Sequence, residues 1–307
     1  MAKSFAELIS MLDPDKMKKV AVAVAQDSAV IEAVRTAKDR KIADAILVGD
    51  EAKIKAIAKD INVDISDFEI INKEDVTEAA LTAVKLVHDG VADMYMKGII
   101  DTKGFLKSVL DKEVGLRTGK PLSHVCVFDV PGIDHLLFLT DVAFMPYPTL
   151  EDKAAIIKNT LQITKACGVD CPKVAPLAAV EVVNPKMPAT VEAAELTRMN
   201  KEGEITGCVV DGPLSLDLAI EPEAALHKGA TDRAIQGDAD ILLFPDIHAG
   251  NLVYKAMVHT AAGLINGNIL TGTKAPVILT SRSDSMEVKV NSLALGAICA
   301  DAMRVDD

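Results

Sequence analysis

Residues Lys19–Asp50 read KVAVAVAQDSAVIEAVRTAKDRKIADAILVGD. Lys19–Ala25 is a small, Val-rich apolar run of the kind that forms a strand buried on both faces. Ser28–Lys41 then reads as a helix, and Asp44–Val48 as a second strand that stops at Gly49-Asp50. A strand, a helix and a second strand in this order predict a parallel pair joined by a right-handed crossover.

The same alternation continues outward. A short helix over Ser4–Leu12 is stopped by Asp13-Pro14, and a helix over Glu51–Lys59 leads to a strand at Glu69–Asn72. Thr77–Asp89 has helical spacing, and another strand begins at Ala92–Met96. Further strands are expected at His124–Phe128, Leu136–Thr140, Lys173–Ala178, Gly207–Val210, Ile241–Phe244 and Val277–Thr280. This pattern predicts an α/β protein with mostly parallel sheets. Asp141–Leu150, DVAFMPYPTL, carries two prolines and no clear period, and the helix Glu151–Ala166 follows it, so a domain boundary is placed there. The last strand and helix, from Pro276, lack partners as an isolated unit and are assigned to the first sheet. The expected domains are therefore 1–142 plus 273–307, and 143–272. No internal repeat and no low-complexity tract interrupts them.

At 307 residues the chain is long enough for two domains. Half of the residues are hydrophobic but only 3% are aromatic and Trp is absent, so the core must be built from Ala, Val, Ile, Leu and Met. A formal net charge of -12 argues against nonspecific nucleic-acid binding or an anionic membrane surface, which need positive faces. An anionic substrate would have to be held by local groups. The five cysteines are odd in number, and Cys167 and Cys171 lack the second pair or nearby histidines that a zinc site requires. Free thiols in a reducing cytoplasm are the expectation, with no metal site. The amphipathic N-terminus has no signal core, and no apolar run approaches the roughly 20 residues of a membrane span.

Against that acidic background, Ala275–Asn291 reads APVILTSRSDSMEVKVN: an apolar strand, a polar turn and a helix. The first N–H groups of a helix have no internal partners and sit at the positive end of its dipole, which suits an anion. Here the turn adds the fork of Arg282 and the hydroxyls of Ser281, Ser283 and Ser285, and arginine matches two phosphate oxygens at once. The same residues also make an ordinary capped helix start, since Ser and Asp are common N-caps. Three more strand-end loops carry mixed polar chemistry. Asp211–Ile220 reads DGPLSLDLAI. Asp238–Met257, DADILLFPDIHAGNLVYKAM, holds Asp246, His248, Asn251 and Lys255. Lys97–Leu110, KGIIDTKGFLKSVL, places Asp101, Thr102 and Lys103 between Gly98 and Gly104 ahead of a helix. Ligands of open α/β sheets bind off the carboxyl ends of the strands, where such loops gather. Each loop taken alone is equally a turn rich in turn-forming residues. No Ser-His-Asp order, HExxH, Walker A or GxGxxG is present.

Those segments, in that order, resemble the phosphate acetyl/butyryltransferase family over nearly the whole chain. The Asp-Thr-Lys-Gly and Ser-Arg-Ser-Asp-Ser pieces are nearer its butyryltransferases than its acetyltransferases. The resemblance implies two three-layer α/β domains of the isocitrate/isopropylmalate dehydrogenase type, with an active site in the interdomain cleft. It implies reversible transfer of a short acyl group, butyryl before acetyl, between coenzyme A and inorganic phosphate. Coenzyme A is then a substrate, and neither a metal nor a redox cofactor is used. It further implies a cytoplasmic homo-oligomer, a dimer or higher, coupled in butyrate fermentation to an acyl kinase, with no nucleic-acid or membrane partner.

On the family pattern Ser281 serves the transition state and Arg282 the phosphate, and the PDxxxGN motif falls on Asp246, Gly250 and Asn251. The expected substrate-binding set is Lys97, Thr102, Lys103, Asp246, His248, Gly250, Asn251 and Ser283. Two positions depart from the acetyltransferases. Their base, an Asp seven places after the motif serine, is Val288 here, and the arginine of their Lys97–Leu110 segment is missing. Asp284 or Glu287 is the nearest candidate base, with Asp284 favoured as the third catalytic residue. Lys103 or Lys107 would replace the arginine's charge. The competing readings are a phosphate acetyltransferase, a metal- and NAD-dependent decarboxylating dehydrogenase of the same fold class, and a non-catalytic coenzyme A or phosphate-binding module.

Overall fold

The computed structural model describes residues 2–281 and 284–304. The chain forms two compact units: Met1–Ser4 with Pro121–Ile265, the central unit, and Phe5–Lys120 with Asn266–Asp307, the terminal unit. The division differs from the breaks expected at 142 and 272. Pro121 belongs to the central unit because Asn159 Nδ2 donates to its carbonyl at 2.9 Å. The following strand, moreover, pairs within that unit. The proline-rich segment after residue 140 is likewise held inside the central unit.

In chain order the terminal unit begins α1 (Phe5–Ser10), β1 (Lys18–Ala23), α2 (Ser28–Asp39), β2 (Ala43–Gly49), α3 (Glu51–Asp60), β3 (Glu69–Asn72), α4 (Val76–His88), β4 (Met94–Lys97) and α5 (Thr102–Val109). The central unit carries β5 (Ser123–Asp129), β6 (Leu137–Thr140), α6 (Leu150–Ala166), β7 (Lys173–Pro176), α7 (Pro188–Lys201), β8 (Val209–Val210), α8 (Leu216–Ile220), α9 (Pro222–His227), β9 (Ile241–Leu243) and α10 (Ile247–Thr260). The chain then closes the terminal unit with β10 (Ile265–Thr271), β11 (Val277–Ile278) and α11 (Met286–Met303).

The terminal sheet runs β3-β2-β1-β4-β11-β10, parallel except for β10, which is antiparallel to β11. Side chains on a strand alternate between faces, and the two faces meet different helices. Val20, Val22, Met94 and Met96 pack with Ile31 and Val34 of α2, Ile54 of α3 and Leu293 of α11. On the other face Tyr95 stacks on Phe105 of α5 with centroids 4.6 Å apart, and its hydroxyl donates to Ala80 O of α4 at 3.1 Å. The result is a three-layer unit built from aliphatic side chains. Truncating a fully buried one such as Ile31 to Ala would cost about 2–5 kcal/mol.

The central sheet runs β5-β6-β9-β7-β8. The pairs among β6, β9, β7 and β8 are parallel, and β5–β6 is antiparallel. Cys126, Phe128, Leu139 and Leu242 face Leu218, Ala225 and Tyr254 of α8, α9 and α10. Helix α6 packs against β5 and β6. Both sheets are mostly parallel, as the alternation of elements implies, and β10 is a strand that the sequence reading does not include. β5 and β6 close as a hairpin through Val130–Leu136, where Gly132 has φ 95°, instead of crossing over. Among the described residues no helix is long and apolar enough to cross a membrane.

Candidate active site

Strand order fixes where a ligand can sit in the terminal unit. From β1 the chain turns to β2 and β3 on one side, then returns to place β4 on the other. The β1/β4 border is thus the point where the order reverses, and the carboxyl ends of β1, β4 and β11 are neighbours there. Such a reversal leaves a crevice between diverging loops. Each of the three loops leads into a helix with a side-chain cap. Asp27 accepts from Val30 N at 3.0 Å, Asp101 from Gly104 N at 2.9 Å and Ser285 from Val288 N at 3.3 Å.

The backbone at the reversal is tightly drawn. Val24 is buried with φ 57°, a left-handed conformation that a β-branched residue rarely adopts. It turns the chain so that Ala23 O accepts from Gly98 N, and Val24 O from Ile99 N, both at 2.9 Å. A Cβ on Gly98 would lie 2.2 Å from Val24 O, so only glycine fits. This close approach fixes Lys97 at the rim.

A cavity opens at this point, lined by Asp27 and Val30 of the first loop and helix, Lys97 and Gly98, Thr280 and Ser281, and Lys289 of α11. Both lysines are buried, Lys97 being 6% and Lys289 4% exposed. Lys289 Nζ donates to Asp284 O at 2.7 Å. Asp284 in turn accepts the Ser281 N–H on Oδ2 at 2.6 Å, while Asp284 N donates to Ser281 O at 3.1 Å. The serine and the carboxylate thus clasp each other across the turn.

The expected site residues of the terminal unit sort into three groups. Ser281 and Lys97 share the cavity, and Asp284 is bonded to Ser281. Arg282 and Ser283 lie outside the described residues. Thr102 and Lys103 occupy the first turn of α5, exposed, and do not line the cavity. The N-cap of α11 is Ser285, while the Asp284 carboxylate accepts a bond on the turn before the helix. Glu287 faces Arg40, whose two terminal nitrogens reach its two oxygens at 2.6 and 3.3 Å. Sequence reading missed Lys289 and the β1 loop. A lysine in an apolar helix reads as solvated surface, and KVAVAVAQDS carries no motif.

In the central unit the PDxxxGN residues make contacts within that unit. Asp246 caps α10, accepting from Ala249 N at 3.0 Å. A Cβ on Gly250 would lie 2.3 Å from Asp141 O, and Asn251 Nδ2 donates to Val142 O at 3.0 Å. Both grip the loop after β6, where the Thr140–Asp141 peptide is cis and the Asp141 carboxylate accepts N–H bonds from Ala143, Phe144 and Met145. His248 Nε2 lies 2.9 Å from the Tyr147 hydroxyl. In the Asp211 loop the carboxylate pairs with Arg233 at 2.9 Å and accepts from Ala234 N and Ile235 N. Asp211 thereby ties one turn to another.

Two buried lysines and a serine thus come together on one cavity at the reversal point of the α/β sheet. A family model described as "Phosphate acetyl/butaryl transferase" matches residues 4–80 and 72–297. The chain is 57% identical to a phosphate butyryltransferase of Clostridium acetobutylicum, covering 98% of this chain and 99% of that protein. It is 42% identical to a phosphate acetyltransferase of Thermotoga maritima, over 96% of this chain and 100% of that one. Among solved structures, a branched-chain phosphotransacylase from Enterococcus faecalis V583 superposes with a TM-score of 0.82. It is 35% identical, over 92% of this chain and 99% of that one. The chain belongs to the phosphate acetyl/butyryl transferase family, and is an acyltransferase.

Proposed function

We propose that the protein transfers a butyryl group reversibly between coenzyme A and inorganic phosphate. The observation that carries this reading is Ser281 on a cavity with two buried lysines, at the point where the sheet order reverses. The higher identity to a butyryltransferase than to an acetyltransferase supports the butyryl preference.

Coenzyme A reacts as its thiolate, so a base must first remove the thiol proton. Asp284 is the carboxylate bonded to the Ser281 turn and takes that role. The thiolate attacks the acyl-phosphate carbonyl, the new C–S bond forms, and negative charge moves to the carbonyl oxygen. The Ser281 hydroxyl stabilises that oxyanion. Arg282 and Lys97 neutralise the phosphate, which leaves as the C–O bond breaks. In reverse, phosphate oxygen attacks the thioester and the thiolate recovers its proton from Asp284. The sequence is balanced with no covalent enzyme intermediate, and needs coenzyme A only as a substrate.

The reading extends to the protein's setting. An acyl phosphate is a mixed anhydride, so an acyl kinase that passes its phosphoryl group to a nucleotide is the natural consumer, as in butyrate fermentation. Five free cysteines suit a reducing cytoplasm. Helix α10 supports a homo-oligomer, a dimer or higher, since it is largely apolar yet buries only Gly250 and Tyr254 and leaves Leu252 70% exposed. The function is tested by incubating the pure protein with butyryl-CoA and phosphate. The expected result is stoichiometric free coenzyme A and butyryl phosphate, with none of either when phosphate is omitted. Thiol release independent of phosphate would mark a hydrolase and overturn the reading.

A further inference from the structure

Lys289 has no place in the expected site, yet its setting is unlike that of Lys153 and Lys38. Lys153, 5% exposed, is paired with Glu192, and Lys38 lies between Asp44 and Asp67 at 2.8 and 3.3 Å. Lys289 is 4% exposed and makes no ion pair among the described residues. Its ammonium donates to one backbone carbonyl, Asp284 O at 2.7 Å. An ammonium has three donors and is costly to bury without a counter-charge. The cavity beside it is also lined by Lys97 and by Asp27, which caps α2, and the Asp284 carboxylate accepts the N–H of its Ser281. The N-terminus of α11 adds partial positive charge to the same place. Lys289 thus brings a buried ammonium, with two donors beyond its single carbonyl contact, to the wall of a cavity, a setting that suits a bound anion.

We propose that Lys289 is a ligand of the substrate phosphate, binding its oxygens together with Lys97 while its third contact holds the Ser281–Asp284 turn in place. The assignment rests on the acyl-transfer reading above for the identity of the anion, and on the cavity for its location. It gives the buried lysine a task in the site, reaching the phosphate from α11.

The test is steady-state phosphorolysis of butyryl-CoA with each substrate varied separately. Lys289→Met should raise the KM for phosphate about tenfold or more, which is about 1.4 kcal/mol, with the KM for butyryl-CoA changed less than about twofold. Lys289→Arg, which keeps the charge, should recover most of the phosphate affinity. A purely structural lysine would instead shift both KM values together, or lower only kcat and Tm, and either pattern overturns the proposal. A second measurement uses the wild-type fold. The Lys289 Nζ resonance, assigned by its loss in Lys289→Arg, should move on titration with inorganic phosphate and not with chloride. A resonance unmoved by saturating phosphate also overturns the assignment. The resonance moving in a protein without acyl transfer would keep Lys289 as an anion ligand and remove the butyryltransferase reading instead.

Discussion

The Ser281 amide donates to Asp284 Oδ2 at 2.6 Å, and the Asp284 amide returns a bond to Ser281 O at 3.1 Å. A reciprocal pair of this kind makes the turn between β11 and α11 a closed unit. It frees Ser285 to cap the helix and places a carboxylate beside the hydroxyl assigned to the transition state. One residue thus has both a structural contact and a chemical assignment, and substitution separates them.

Asp284→Asn keeps an oxygen that accepts the Ser281 N–H and removes the basicity. Turnover should fall about a hundredfold or more, since general bases typically contribute about 10²–10⁴, with Tm nearly unchanged. Glu287→Gln is the contrast. Its carboxylate faces Arg40, so kcat and KM should stay within about twofold of wild type, as expected for a half-exposed ion pair worth about 0–1 kcal/mol. Wild-type turnover in Asp284→Asn would make that residue a turn former only.

Arg282→Ala should cost about 2–4 kcal/mol of transition-state stabilisation while leaving folding largely intact, because a charge-assisted phosphate contact is lost. Lysine should restore only part, since it cannot bind two oxygens in a fork. The ratio of kcat/KM values reads this directly. Near-normal kinetics in the alanine variant would remove Arg282 from the site.

Gly250→Ala tests the architectural account of the PDxxxGN motif. The new Cβ would be 2.3 Å from Asp141 O, so the α10 start and the β6 loop must separate. The expected outcome is a loss of about 1–3 kcal/mol in denaturant unfolding. An alanine variant as stable as wild type but inactive would give Gly250 a substrate contact instead.

The thiols provide a check on the absence of a covalent intermediate. Cys126, Cys167, Cys208 and Cys299 are buried and Cys171 is exposed. Burial, with the nearby Cys171, pushes the Cys208 thiol up to about 11. A disulfide reagent at mildly alkaline pH should therefore label Cys171 fast and the others slowly. Cys171→Ser should abolish the fast phase and leave acyl transfer unchanged. An acyl group trapped on cysteine during turnover would contradict the direct-transfer mechanism.

Much of the fold was readable because parallel strands buried on both faces announce themselves as apolar runs, as in Val20–Ala25 and Ile46–Val48. β10 was not. Its Ile265-Asn266-Gly267-Asn268 reads as a turn, and the groups that make it a strand are far along the chain. Asn291 Nδ2 donates to Asn266 O at 3.3 Å, Asn268 N donates to Ser292 Oγ at 2.8 Å, and Gly267 fits against the Asn291 backbone. Buried polar strand positions become intelligible only when their partners on α11 are in place. The site divides in the same way. Ser281 stood out because its motif is local, whereas Lys289 acquires meaning from the cavity that β1, β4 and β11 create together. The polar residues of the Asp246 loop read as ligand groups, and among the described residues Asp246 caps α10 and Asn251 braces the loop after β6.

The most direct measurement is the rate of coenzyme A acylation by the pure protein with acetyl, propionyl, butyryl and branched acyl phosphates. The account predicts the highest kcat/KM for butyryl phosphate, with acetyl phosphate at least about tenfold lower, a discrimination of about 1.4 kcal/mol that two additional buried methylenes can supply. Equal or faster transfer from acetyl phosphate would contradict the butyryl assignment, and no acylation of coenzyme A by any of them would contradict the account as a whole.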